Sequence, residues 1–120
     1  MKLTITLLLA VFLVVPTITS AETFRGIVSP YSDPATGDAE DLDSIRVNNQ
    51  KIRLENIDNR NLTRRKARQA LQTIEDQLGG KTATCIISNK GDNRWRGICK
   101  IGNTDIGEWM VRAGFARLER

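Results

Sequence analysis

The chain has 120 residues, a formal net charge of +4, two cysteines and no histidine. Without histidine it cannot by itself form a Ser-His-Asp triad, a Cys-His pair, a His-bridged zinc site or a two-histidine ribonuclease site. Catalysis by this chain would have to use carboxylates and arginines, with or without a metal ion. The small positive excess permits nucleic-acid binding without requiring it, and the length suits one small domain.

The first residues have the pattern of a secretory signal peptide. Lys2 gives a positive start, residues 3–15 form a largely apolar run, and residues 19–21 are small, as at a cleavage site. The run is shorter than the ~18 to 20 residues that span a bilayer, so a permanent membrane anchor is the weaker alternative. We predict a signal peptide over residues 1–21 and a folded domain over residues 22–120. The protein would be exported, periplasmic or secreted, with no membrane attachment after cleavage.

The two cysteines are spaced for a cross-strand pair. Cys85 and Cys99 lie seven residues on either side of Asp92, so a hairpin that turns near Asp92 would place them opposite each other on neighbouring strands. In the oxidising compartment that export implies, this geometry favours a disulfide. Two buried free thiols are the alternative, since cysteine also packs as a small hydrophobic residue.

The first half of the domain predicts three strands. Residues 24–28 have the composition of a short strand, and residues 29–40 contain the prolines and glycine of a loop. Residues 44–47 and 51–54 alternate apolar and polar side chains on either side of Asn48-Asn49. This dipeptide tolerates the positive φ of a tight turn, so the two strands should form a hairpin.

From Thr63 onwards the apolar residues follow a helical period. Thr63 is a candidate N-cap, and residues 79–80, both glycine, should end the helix. The residues predicted to face the core are Ala67, Ala70, Leu71, Ile74 and Leu78.

The last part of the chain predicts two strands, residues 81–87 and 97–101, followed by a second helix over residues 106–113 that ends at Gly114. Three strands, a helix, two strands and a helix suit an α+β fold, a five-stranded β-barrel with two helices packed on it. The residues of the second helix predicted to share one face are Ile106, Trp109, Met110 and Ala113.

Four segments carry a resemblance to a known family. Residues 41–44 are Asp-Leu-Asp-Ser, and residues 52–58 begin with Ile-Arg-Leu and end with Ile-Asp. Residues 92–97 are a predicted turn that begins with Asp and ends with Arg-Gly, and residues 105–116 contain the last predicted helix. Together they resemble the thermonuclease family of staphylococcal nuclease-like domains over residues 24–118. The resemblance implies an OB-type barrel that hydrolyses phosphodiesters of DNA and RNA with calcium.

The resemblance also implies roles for particular residues. Asp43 and Asp58 would bind calcium through their carboxylates and Asn59 through its backbone carbonyl oxygen, the ligands that a hard cation prefers. Arg53 and Arg96 would clamp the scissile phosphate and stabilise its charged transition state. For Asp43 and Arg53, a surface ion pair or a turn cap is the alternative.

One position departs from the family pattern. Where the family has the glutamate proposed to activate the attacking water, this chain has Asn61. An amide cannot accept a proton at neutral pH, and a general base typically contributes about 10²- to 10⁴-fold. Glu40 and Glu55 are the nearest carboxylates in sequence. Glu55 alternates onto the same strand face as Arg53 and is a candidate surrogate base, with a solvated strand acid as the alternative.

A run of basic residues opens the first helix. Arg60, Arg64 and Arg68 are spaced four residues apart and would line one helix face, where they could contact a phosphate backbone. A solvated helix face is the alternative. Tyr31 and Trp95 are the candidates for exposed aromatics that stack on bases.

Two classes of function follow from the sequence. The first is a secreted, calcium-dependent nuclease, weakened because the family's general base is replaced by Asn61. The second is a non-catalytic OB-type module that binds nucleic acid, another polyanion or a protein partner. We expect a monomer in either case.

Overall fold

A computed structural model of the protein describes residues 21–32, 34, 42–91 and 94–119. The predicted signal peptide up to residue 20, most of the loop over residues 29–40, and the turn at Asp92 lie outside these residues. The elements are β1 (Glu22–Pro30), β2 (Ser44–Val47), β3 (Gln50–Leu54), β4 (Ile57–Asn59), α1 (Arg64–Leu78), β5 (Thr82–Asn89), β6 (Trp95–Ile101), β7 (Thr104–Asp105), α2 (Ile106–Arg112) and β8 (Ala116–Leu118).

Five strands close into a barrel. Antiparallel pairs connect them in the order β3-β2-β1-β5-β6, and a parallel pairing of β3 with β6 completes the ring. With α1 and α2 packed against it, this is the predicted five-stranded OB-type barrel of the α+β class. On β3, Ile52 and Leu54 are fully buried in the interior, so Arg53 between them points outward.

The β2–β3 hairpin forms at the predicted dipeptide. Asn48 and Asn49 have φ angles of 47° and 67°, a left-handed conformation that asparagine tolerates better than most residues. The Asn48 side chain also accepts a hydrogen bond from the Ile27 backbone at 2.8 Å, which ties the turn to β1. A Cβ at Gly26 would overlap this Asn48 side chain.

The predicted start, end and buried face of α1 are confirmed. Thr63 Oγ1 accepts a hydrogen bond from the Lys66 backbone N–H at 3.3 Å, an N-cap that typically contributes about 1 kcal/mol. Gly79 is the C-cap, and Gly80 turns the chain with a φ of 78°. The buried residues are the predicted Ala67, Ala70, Leu71, Ile74 and Leu78.

The β5–β6 hairpin has the register that the cysteine spacing predicts. Cys85 and Cys99 are direct partners across the two strands, are fully buried and form a disulfide with a Cα–Cα distance of 4.0 Å. The disulfide is confirmed over the alternative of two free thiols, and it is compatible with an exported protein. No helix within the described part of the chain is long and apolar enough to cross a membrane.

Three short strands were not predicted. β4 pairs with β8 so that Asp58 faces Arg117, and β7 extends the edge of β6.

The prediction for the second helix was wrong by one residue. Ala113 is an exposed C-cap rather than part of the buried face, because Gly114 turns the chain back with a φ of 85°. The return brings β8 beside β4.

Candidate functional site

The closure of the barrel brings two predicted site arginines together. In the parallel β3–β6 pairing, Arg53 and Arg96 are direct partners. Beside them lies a cleft of about 490 Å³. Its lining residues are Asp43, Ser44, Lys51, Arg53, Arg94, Trp95 and Arg96. We call it the β3–β6 cleft.

Arg53 is surrounded by carboxylates. Its Nε lies 3.2 Å from Asp43 Oδ2, its Nη2 lies 3.0 Å from Asp58 Oδ1, and its Nη1 lies 4.0 Å from Glu119 Oε2. The side chain is 26% exposed. Nη1 itself is buried and has no hydrogen-bond partner among the described residues. Arg53 is thus an enclosed cation that links β3 to β4, to the residue before β2 and to the residue after β8.

Asp43 is held in place by its neighbours. Its backbone N–H donates to Asn59 Oδ1 at 3.1 Å, and its Oδ1 accepts from Ser44 Oγ at 3.2 Å. Its side chain is only 12% exposed. Of the three predicted calcium ligands, Asp43 and Asp58 therefore both contact Arg53, and Asn59 contacts the backbone of Asp43.

The carboxylates of Asp43 and Asp58 can bind a hard cation only if the Arg53 guanidinium moves away from them. Asp43 and Asp58 carry two negative charges against the single charge of Arg53, and carboxylate oxygens are the ligands that calcium prefers. The Arg53 guanidinium, however, contacts both carboxylates. Within the described ranges, no three or more Asp, Glu or Cys side chains are grouped closely enough to hold an ion.

Arg94 and Arg96 differ from Arg53 in having no acidic partner among the described residues. Neither side chain makes an ion pair with any residue that the structure describes, and both are exposed at the cleft. Arginine keeps its charge at any ordinary pH and presents a planar fork of donors that matches phosphate oxygens. These two side chains are the available cations of the cleft.

The two candidate stacking aromatics are partly covered. Trp95 packs edge-on against Phe24 with ring centroids 5.0 Å apart, and Lys90 Nζ lies 4.4 Å from its ring centre. Tyr31 has Lys51 Nζ 4.0 Å from its ring centre. A cation therefore already occupies a face of each ring, so stacking on a base would have to use the other face or displace the lysine.

Asn61, the position predicted by resemblance to correspond to a general base, lies in another depression. Asn61 and Arg60 border a groove of about 460 Å³ beside the start of α1, and neither lines the β3–β6 cleft. Arg60 Nη1 donates to the Gly114 carbonyl at 3.4 Å. The groove residues are Arg60, Asn61, Leu62, Thr63, Lys66, Gln69, Ala113, Gly114 and Phe115. We call it the α1 groove.

Glu55, the other candidate base, is hydrogen-bonded outside the β3–β6 cleft. Its Oε2 accepts a hydrogen bond from Ser88 Oγ at 2.6 Å, and its side chain does not line the β3–β6 cleft. The position of Glu119, by contrast, was not anticipated from the sequence. It reaches Arg53 only because β8 pairs with β4, and no local pattern in the sequence signals that pairing.

Comparison with models of known protein families finds no match for this chain. Comparison with curated proteins finds no significant match. The function is therefore argued from the geometry of the site.

Proposed function

We propose that this chain is a weak nuclease of the thermonuclease type, which binds a phosphodiester in the β3–β6 cleft and hydrolyses it slowly with a divalent cation. One observation carries the proposal. The available cations Arg94 and Arg96 share one cleft with the carboxylate of Asp43 and with Arg53. Phosphate-binding donors and a carboxylate that can bind a hard cation are two of the elements that metal-assisted phosphodiester hydrolysis uses.

The resemblance of four sequence segments to the thermonuclease family supports the proposal. The residues that match the family's two arginines, Arg53 and Arg96, are neighbours across the β3–β6 pairing. Those that match its metal ligands, Asp43 and Asp58, contact the same guanidinium. The convergence of these residues, which are distant in the sequence, supports the proposal.

Arg96 binds and orients the phosphate, because it is exposed at the cleft and has no acidic partner among the described residues. Asp43, Asp58 and Asn59 would hold calcium. When bound, calcium would supply Lewis-acid polarisation of the phosphate and lower the pKa of a bound water. Arg53 would then be released from its carboxylates and would stabilise the charge that develops on the phosphate oxygens.

The rate should be low because neither Asn61, at the predicted base position, nor Glu55, the described candidate base, lines the cleft. Asn61 lines the α1 groove, and Glu55 is hydrogen-bonded to Ser88. The same observation favours a second candidate function, an OB-type module that binds nucleic acid without cleaving it. In that case Arg94 and Arg96 would still contact phosphate, and Arg53 would remain a structural link.

The test is hydrolysis of single-stranded DNA and RNA by protein lacking residues 1–21, with calcium and with a chelator. We expect slow, calcium-dependent cleavage that Arg96→Ala reduces by about 10²-fold or more. Arg112→Ala is the matched control, because this exposed arginine pairs only with Glu108 on α2 at 4.0 Å. Salt-sensitive binding with no cleavage in calcium would replace the nuclease with the binding module. Equal rates in the two variants would remove the β3–β6 cleft from the mechanism.

A further inference from the structure

The first half of α1 carries positive charge that the protein does not compensate. Arg64, Arg65, Lys66 and Arg68 are all exposed, and we call them the α1 basic surface. The sequence contains no acid from residue 59 to residue 74. In the described part of the chain, none of these four side chains forms an ion pair.

This arrangement opposes folding. The N-terminus of a helix carries a partial positive charge, so acids are favoured in the first turn and cations are unfavourable there. The first turn of α1 has no acid, and its first three residues are all cations. Local features that work against the fold tend to mark functional positions. A bound anion would remove the repulsion.

The rest of the helix indicates which kind of anion. The apolar face of α1 is buried in the protein, from Ala67 to Leu78, so it is not available to enter a membrane as an amphipathic helix would. The basic residues are spread over more than one turn rather than focused on one point. That distribution suits an extended polyanion with several phosphates more than a single small ion.

We propose that the α1 basic surface is a second binding surface, for the phosphate backbone of a long single-stranded polynucleotide. None of the residues that line the β3–β6 cleft lies on α1, so the two sites are distinct. This inference goes beyond the proposed function, because it assigns binding to a surface outside the β3–β6 cleft.

The test measures binding of single-stranded DNA and RNA of about 16 nucleotides in chelator, at several salt concentrations. The α1 variant combines Arg64→Gln, Arg65→Gln and Arg68→Gln. The control variant removes the same charge from exposed positions elsewhere, through Arg25→Gln, Lys81→Gln and Lys100→Gln.

The logarithm of the affinity falls linearly with the logarithm of the salt concentration, and loss of three phosphate contacts should reduce the magnitude of this slope by roughly 2. The α1 variant should therefore bind at least tenfold more weakly at low salt, and the control should keep its slope. Equal losses in both variants would show that only net charge matters and would overturn the proposal. Tighter binding of the wild type to phosphatidylserine vesicles than to the oligonucleotides would also overturn it.

Melting temperature provides an independent check. Removing cations from the positive end of α1 should raise the melting temperature of the free protein by a few degrees, so weaker binding would accompany higher stability. If the triple variant does not fold, Arg65→Gln with Arg68→Gln should reduce the magnitude of the slope by roughly 1.4. An unchanged slope in this double variant would contradict the proposal.

The outcome is separable from that of the proposed function. Arg96→Ala should stop hydrolysis yet lower the salt slope by only the one contact it makes, roughly 0.7. Suppose that the wild type does not cleave, and that the salt dependence of binding is still weaker in the α1 variant. The nuclease proposal then fails and the second surface stands. If the wild type cleaves and the α1 variant binds unchanged, the reverse holds.

Discussion

Two basic regions of this protein differ in whether nearby carboxylates compensate their positive charge. At Arg53, carboxylates from separate parts of the chain surround one guanidinium, with Asp43 and Asp58 at 3.2 and 3.0 Å. On the α1 basic surface, four cations stand next to one another with no acidic partner in the described residues. The first charge is part of the folded structure, while the second is available to a ligand.

This difference separates what substitutions should do. Changes around Arg53 should alter stability first, because they leave partly buried charges without partners. Changes on α1 should alter binding and leave the fold intact or more stable. Counting basic residues in the sequence would treat the two regions as equivalent, although only the folded structure decides which charges are compensated.

The largest expected effect on stability comes from the disulfide of the β5–β6 hairpin, the hairpin that carries Arg94 and Arg96. Replacing Cys85 and Cys99 by Ala opens a loop with a sequence separation of 14, which should cost about 3 kcal/mol on the chain-entropy model. For a domain of this size the melting temperature should fall by roughly 10 to 20 °C. Thermal unfolding measures this shift. Reductant should lower the wild-type value similarly and leave the variant unchanged, and a shift below about 5 °C would contradict the estimate.

The next effect tests whether Arg53 competes with calcium for the same carboxylates. Arg53→Met leaves Asp43 and Asp58 facing each other without their shared cation. We expect a loss of about 2 kcal/mol in chelator, less than for a fully buried pair because the side chain is partly exposed. Calcium should then raise the melting temperature of Arg53→Met more than that of the wild type, since the ion binds only the folded state.

Arg112→Met is the control for this comparison. Its ion pair with Glu108 is exposed and 4.0 Å long, so its loss should change stability by less than about 0.5 kcal/mol. Calcium should affect it as it affects the wild type. If calcium shifts neither the wild type nor Arg53→Met at millimolar concentration, these carboxylates do not form the metal site.

Features that depend on neighbouring residues could be predicted from the sequence. The Asn48-Asn49 turn follows from the positive φ that asparagine tolerates, and the buried face of α1 follows from its helical period. The register of Cys85 with Cys99 follows from equal spacing about one turn. Because these local features fix the order of the main elements, they were sufficient to predict the barrel.

Features that depend on distant segments could not be predicted. The β4–β8 pairing joins two three-residue strands that are more than fifty residues apart, and strands this short have no periodicity to recognise. That pairing decides that Glu119 reaches Arg53. The composition of the site could thus be predicted in part, whereas the contacts that enclose Arg53 could not.

The smallest expected effect concerns the missing base, and it separates the two regions again. A glutamate at position 61 would increase the resemblance of the sequence to the thermonuclease family, but Asn61 borders the α1 groove and not the β3–β6 cleft. We therefore expect Asn61→Glu to change the rate of hydrolysis by less than about twofold, because a base must lie within hydrogen-bond reach of the attacking water. The added negative charge beside Lys66 should instead weaken polynucleotide binding modestly. Single-turnover cleavage and salt-dependent binding, with Asn61→Gln as the control, measure the two effects. A tenfold or larger gain in rate would show that the segment before α1 swings into the cleft when substrate binds, which would join the two regions into one site.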